Sequence, residues 1–408
     1  MSVSRLDKFV RERAKTASLA EAHSARERAI ELTIASGASS HLVRPAVALA
    51  CRCFTGTVYL VLDHTESELI SVAVDEARAY GAERRLQIGR SPDAVVRLGI
   101  GSAIDGIFVD AAGPVASVNK VATSKAAPWP PAAAFAIACG FGKLFAKMLG
   151  AGPDVSGEQW DFSLLTLSPA SGVDERTIAA ELDIGRVTLI GAGAIGSAFA
   201  FVVKMSGWRC RLGIVDPQPY EEPNHETTLL ISKNDALSHL PKAKTLAALV
   251  SVGAVAADSL EEYVGPGHAV LQREHDVLVC AVDNPETRRI LDDACCGVLL
   301  NGAVGGSGLD AGLLLWTRHA EGDPELASLY PSGTDEPTSN TPLPTDVDEC
   351  SRVLYEGVAL AAPFMALATA SLLAAACAHR VLGAPPVQLY LQFDLLELQS
   401  KYSERRRA

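Results

Sequence analysis

From Thr57 onward, short runs of β-branched and apolar residues alternate with stretches in which apolar positions recur every three or four residues. Val58–Leu62 and Ala94–Ile100 read as strands, with a helix-period stretch from Glu66 to Tyr80 between them. Gly106–Gly113 adds a strand running into a turn, and an alanine-rich helix follows from about Pro131 to Leu149. Residues 1 to 45 mix Arg, Lys and Glu with Ala and Leu at helical spacing and predict one or two solvent-facing helices ending near Gly37. Residues 150–185 are richer in Pro, Gly, Ser and Asp and mark a linker or sheet edge. A second unit then opens with the buried-strand run Arg186–Ile190, a helix to about Ser206, a strand Cys210–Val215, a helix over about 242–252 and a strand His275–Val282. This alternation predicts an α/β protein with a doubly wound, mostly parallel sheet, the first unit being a degenerate copy of the second. The expected division is 1–45, 46–165 and 166–408.

Composition narrows the function. Hydrophobic residues make up 48% and charged residues 21%, the profile of a packed globular chain. Lys and Arg number 36 against 48 Asp and Glu, a net charge of −12, so no electrostatic footprint for nucleic acid is present. The nine cysteines are odd in number and irregularly spaced, which indicates a reducing compartment and a cytoplasmic location. No signal-peptide core occurs in the first 33 residues. Val358–Ala378 carries no charge and is just long enough to span a bilayer, but it is dominated by Ala and includes Pro363, Thr369 and Ser371, so a buried helix is expected and no membrane partner. Residues 322–349, with Pro324, Pro331, Pro337, Pro342 and Pro344, read as a long functional loop ending at Cys350.

The chemistry begins at Gly191-Ala192-Gly193-Ala194-Ile195-Gly196, which follows a strand and opens a helix. In that context Gly191, Gly193 and Gly196 supply a tight turn, close backbone approach and a helix N-terminus for negative charge. Asp216 stands at the end of the next strand, where an acid takes ribose hydroxyls. On these residues alone an NAD(P)-dependent oxidoreductase fits as well as any ATP-using enzyme. The residues beyond Asp216 favour attack on an α-phosphate: Asn224, then Lys242 at the head of a helix with Lys244 competing for the same role, then Asp283-Asn284 at a strand end. A lysine neutralises charge developing on phosphate and an acid holds the metal on the departing pyrophosphate.

Over about 186–383 these motifs, in this order, resemble the ThiF/MoeB/HesA superfamily of ubiquitin-activating-like adenylyltransferases, with their Rossmann-like fold. The resemblance implies ATP over the glycine loop, Asp216 on the ribose, Asn224 and Lys242 on phosphates and Asp283 on Mg²⁺. It also implies a substrate that is the C-terminal glycine of a ubiquitin-like protein. Glu349–Pro363 is similar to the family's run from a transfer cysteine into a core helix, making Cys350 the implied thioester-forming thiol, with a conjugating enzyme as downstream partner and a homodimer left open. At two points the chain departs from the pattern. Thr227 stands where the family places an arginine, which keeps a non-catalytic scaffold open as an alternative. The paired CxxC motifs of the sulfur-carrier branch are absent, so no structural zinc is expected and weight moves to bacterial ubiquitin-like conjugation systems. Cys295 and Cys296 read as core positions of an alanine-rich helix, and His225 as a loop histidine.

Overall fold

The computed structural model describes residues 19–403 apart from 319–361 and the short segments 63–65, 93–95, 123, 150–158, 171–177, 179–180, 295, 305–311, 384–389 and 396–397. Eight strands form a first sheet: β1 Ile30–Ile34, β2 Val58–Val61, β3 Leu86–Ile88, β4 Val96–Ile100, β5 Ile107–Ala112, β6 Val115–Val118, β7 Trp160–Ser163 and β8 Ser168–Pro169. Eight more form a second: β9 Asp183–Ile190, β10 Arg209–Val215, β11 Val255–Leu260, β12 His275–Cys280, β13 Cys296–Val304, β14 Gly312–Arg318, β15 Tyr390–Asp394 and β16 Gln399–Ser403. The strand orders are β3-β2-β1-β4-β5-β6-β7-β8 and β11-β10-β9-β12-β13-β14-β15-β16, so adding eight to each strand number converts one sheet into the other. In both, the first five strands pair in parallel and the last three antiparallel.

The helices repeat the same plan. In the first half α1 (Ser40–Cys53) follows β1, α2 (Ser67–Ala79) follows β2, and α3 (Pro130–Leu149) lies between β6 and β7. In the second, α4 (Ala194–Ser206) follows β9, the short α5 (Asn224–Thr227) and α6 (Lys242–Val250) follow β10, α7 (Pro285–Ile290) follows β12, and α8 (Pro363–Val381) lies between β14 and β15. α3 and α8 are apolar on all sides, the signature of a helix with no solvent face. They pack on each other and are almost wholly buried in protein, although both are long and apolar enough to cross a membrane. Inside α8 the hydroxyls of Thr369 and Ser371 donate to the carbonyls of Met365 and Leu367 one turn back, so no polar group is stranded there.

One hydrophobic cluster runs through both halves, from Leu32 and Leu98 to Leu189 and Leu300. Aromatic rings close the seam: Phe145 and Phe364 lie 5.0 Å apart and Phe135 and Phe393 5.4 Å apart between centroids. His379 Nε2 on α8 donates to Leu164 O of the first half at 2.9 Å. The two halves therefore form a single packed body.

Two expectations are corrected. The segment 1–45 is not helical throughout: Ile30–Ile34 is β1, a central buried strand between β2 and β4. Its short Ile-Glu-Leu-Thr-Ile alternation is hidden in sequence by the charged helical neighbours on its N-terminal side. Cys296 opens β13 instead of sitting in a helix, because α7 ends early and the apolar run Val298–Leu300 completes the sheet beside β12. The first sheet ends at its edge strand β8, inside the stretch 150–185 expected as a linker or sheet edge.

Candidate functional site

In the second sheet the chain leaves β9 toward β10 on one side, and β12 takes up the other side, so a crevice opens beyond the carboxyl ends of β9 and β12. This is the switch point at which open α/β sheets place their ligands. A cavity of about 550 Å³ occupies it, lined by Gly191, Gly193, Asp216, Asn224, Thr227, Lys242 and Asp283 among others. Gly191, Gly193, Asp216, Asn224, Lys242 and Asp283, all singled out from sequence, are thus brought to one place, while Gly196 acts behind the wall.

Each glycine of the loop has its own reason. Gly191 has φ +99°, and a Cβ there would come within 2.7 Å of Ala281 O. At Gly196, on the first turn of α4, a Cβ would fall 1.9 Å from Gly191 O, so only a glycine lets the helix press against the loop. Gly193 has an ordinary φ of −77° and nothing within 4 Å of a built Cβ. A side chain at Gly193 would meet the cavity, and the missing Cβ is what leaves room for a ligand against the N-terminus of a thirteen-residue helix.

Asp216, 7% exposed, accepts from Ala192 N at 2.7 Å through Oδ2 and from Gln218 N at 2.9 Å through Oδ1. The carboxylate ties the end of β10 to the glycine loop, and its remaining lone pairs face the cavity side. Lys242 is also buried. Its backbone N–H donates to Gln218 O at 3.0 Å and its Nζ to Gln218 Oε1 at 2.8 Å. Lys244 is exposed and does not line the cavity, so of the two lysines only Lys242 reaches it. Asn224 Oδ1 accepts from Glu221 N at 2.8 Å and so fixes the turn that opens α5. Thr227 is buried in the wall with its hydroxyl donating to Asn224 O at 3.4 Å, and it brings no charge. His225 Nδ1 donates to Glu222 O at 2.5 Å, a bond within its own turn, and burial lowers its pKa.

On the opposite wall Asp283 is exposed to the cavity. Asn284 caps α7, accepting from Glu286 N at 2.8 Å and Thr287 N at 3.3 Å. Four residues on, one helical turn, Arg288 folds back and donates through Nε to Val282 O at 3.0 Å. Sequence reasoning missed Arg288, although its spacing from the cap was a usable signal. It also missed Glu262 and Tyr263, which follow β11 and line the cavity, Tyr263 being 76% exposed; no local pattern marks them.

A single carboxylate suits a Mg²⁺ that arrives on nucleotide phosphates, since that ion keeps most of its shell as water and phosphate oxygen. No group of three or more His, Cys, Asp or Glu suited to hold a metal on its own occurs among the described residues. Seven cysteines are described and none of them forms a disulfide. Burial pushes the thiols of Cys51 to about 11 and of Cys53 and Cys210 to about 12, and it raises those of Cys139, Cys280 and Cys377 too. Such thiols are poor nucleophiles at neutral pH. Cys350 and the loop 322–349 lie outside the described residues.

A doubly wound sheet with a glycine loop, an acid after the second strand and a lysine and acid facing across the switch point is the arrangement of a nucleotide-binding α/β protein, and in sequence the chain is similar to adenylyltransferases of the ThiF/MoeB type. Residues 185–384 match the BilD C-terminal domain. The chain is 28% identical over 200 residues to adenylyltransferase and sulfurtransferase MOCS3-2 of Zea mays, covering 48% of this chain and 38% of the relative. It is 28% identical over 223 residues to MOCS3 of Arabidopsis thaliana, covering 53% and 44%. The chain therefore spans about two fifths of the length of the curated relatives it matches. Among solved structures, E. coli MccB aligns with 55% of this chain and 63% of its own at 12% identity and a TM-score of 0.41, and PaaA with 54% and 72% at 16% identity and 0.39.

Proposed function

We propose that this chain is an ATP-dependent activating enzyme that adenylates the C-terminal carboxylate of a small protein. The observation that carries the reading is the convergence of Gly193, Asp216, Lys242 and Asp283 on one cavity at the switch point of the sheet. In this reading the α4 N-terminus and the glycine-loop amides receive the phosphates, and Asp216 takes the ribose hydroxyls. Lys242 and Asn224 contact phosphate oxygens, and Asp283 would hold Mg²⁺, which would offset the charge on the departing pyrophosphate. A carboxylate oxygen of the partner attacks the α-phosphorus, the bond from that phosphorus to the bridging oxygen breaks, and pyrophosphate leaves with the electron pair.

A ubiquitin-like protein ending in glycine is the proposed substrate, in keeping with the order of motifs across 186–383. Cys350 then takes the acyl group: its thiolate attacks the mixed anhydride, a thioester forms and AMP leaves. A conjugating enzyme accepts the acyl group from it. That no described cysteine other than the half-buried Cys296 escapes deep burial supports assigning this step to Cys350. A scaffold that binds nucleotide or partner without turnover is the second reading, favoured by the uncharged Thr227 in the phosphate-facing wall.

The test is ATP–pyrophosphate exchange by the purified chain with small β-grasp proteins ending in glycine, followed by non-reducing gels. Exchange with one partner and a thiol-sensitive adduct lost in Cys350→Ala bears the proposal out. Binding of the partner without exchange establishes the scaffold reading instead, and nicotinamide-cofactor binding in place of ATP would return the site to hydride chemistry.

A further inference from the structure

The second half's cavity is backed by side chains that the first half supplies. Arg52, on the last turn of α1, is buried at 6% exposure and donates through Nη2 to Ile231 O, 179 residues away. Its guanidinium lies 4.5 Å from the centroid of the Tyr80 ring, and Glu226 adds an attractive charge. Tyr80 Oη in turn accepts from Leu230 N at 3.3 Å. Among the described residues no acceptor meets the buried Nε of Arg52. A charged guanidinium with an unmet N–H is costly to bury, so its place at the seam calls for a compensating role.

That role is visible in the backbone it holds. Leu230 has φ +68°, a left-handed conformation that a leucine adopts only under constraint. It is gripped on both sides, by Tyr80 at its own N–H and by Arg52 at the next carbonyl, while Leu229 N donates to Ser197 Oγ of α4 at 3.0 Å. The gripped residues continue directly from Asn224, Thr227 and Thr228, which form one wall of the cavity. If Leu230 relaxed to negative φ, the peptide planes on either side would turn and that wall would shift.

We infer that Arg52 and Tyr80 are positioning residues for nucleotide binding: the first half acts in cis on the site of the second by clamping the strained Leu230 and thereby setting the Asn224–Thr228 wall. The inference rests on the proposed nucleotide reading of that cavity. Arg52 does not line the cavity and touches no nucleotide in this scheme; its effect passes through the backbone of 229–231.

The experiment measures equilibrium binding of Mg·ATP to the full chain by titration calorimetry. Tyr80→Phe keeps the ring under the guanidinium and removes the hydroxyl that accepts from Leu230 N and bonds the Glu76 carboxylate, so ATP should bind about fivefold more weakly. Arg52→Met should weaken binding about tenfold or more, and Arg52→Lys should recover part of that loss. The discriminating variant is Arg52→Met combined with Leu230→Gly. Glycine takes φ +68° without strain, so ATP affinity should return to within about threefold of the parent, a rescue that a merely structural role for Arg52 would not produce. Wild-type ATP affinity in a folded Tyr80→Phe variant, or no recovery in the double variant, would overturn the inference while leaving the nucleotide reading intact. Failure of the parent chain to bind ATP would overturn both. If Arg52→Met does not fold, Tyr80→Phe decides alone.

Discussion

Asp216 Oδ2 accepts the Ala192 N–H at 2.7 Å, so the acid at the end of β10 and the glycine loop at the end of β9 form one rigid unit. The first half keeps a counterpart: Glu66 Oε1 accepts from Gly37 N and from Ser36 Oγ, both at 2.8 Å, at the loop that follows β1. Both halves have an acid-to-loop bond, while only the second has three glycines there.

Asp216→Ala would leave two backbone N–H groups without their carboxylate partner at a buried position. Stability should fall by about 2–4 kcal/mol, and ATP binding should be lost at temperatures where the variant is folded. Asp216→Asn, which keeps one carbonyl oxygen as acceptor, should lose about half as much. Urea unfolding of both variants checks this, and an unchanged midpoint for the alanine variant would show that the carboxylate does not brace the loop.

The glycines Gly193 and Gly196 should separate folding from binding. Gly196→Ala places a methyl 1.9 Å from Gly191 O and should cost about 2 kcal/mol or more by overpacking. Gly193→Ala meets open space, so its melting curve should move by less than about 1 kcal/mol, while ATP affinity drops about tenfold as the methyl enters the cavity. The reverse pattern, a destabilised Gly193→Ala that still binds ATP, would mean that no ligand occupies this floor.

Asp283→Ala should abolish ATP–pyrophosphate exchange while leaving the fold intact, because Asp283 is exposed. Arg288→Met removes the bond to Val282 O beside it and should lower exchange by about tenfold with little change in partner binding. Exchange rates in the two variants measure both effects. Full exchange in Asp283→Ala would move the metal to another residue.

Thiol labelling of the native chain at pH 7.5 should spare Cys51, Cys53, Cys139, Cys210, Cys280 and Cys377, whose burial both blocks reagent and raises the thiol pKa. Mass spectrometry after a short iodoacetamide pulse should find Cys350 modified first. Rapid labelling of any of those six would show that the core opens more readily than its packing implies.

Glu76, between Arg44 and Lys204 at the seam of the two halves, has its carboxyl pushed up to about 7, chiefly by burial and against the attraction of Arg44. A raised acid pKa means the folded state holds its proton more tightly than the unfolded chain does. The stability this gives, relative to Glu76→Gln, is complete below pH about 4.5 and is lost as pH rises through about 7. Between pH 4.5 and 8 the parent should lose about 2–3 kcal/mol relative to the glutamine variant. Urea melts at the two pH values test the sign, and a parent that gains on the variant as pH rises would contradict it.

Local pattern alone reached the glycine loop, the acids at strand ends and the inner strands β2, β4, β5, β9, β10 and β12, because each depends on neighbours within one or two turns: β9 is a continuous apolar run, and Asp216 and Asp283 stand where such runs stop. Local pattern failed at β1, where Ile30–Ile34 is too short to outweigh the charged stretch before it, and at β13, where Cys296 follows α7 without a punctuating Gly or Pro. What it could reach, then, was the class of fold and the kinds of group at the candidate site. The tertiary structure alone decided that Lys242 and not Lys244 faces the cavity, that Arg288 folds back on Val282, and that Arg52 grips Ile231 across 179 residues. Those outcomes depend on which side of a helix is buried and on which distant backbone meets it, and burial is a property of the packed chain, set by the whole core at once.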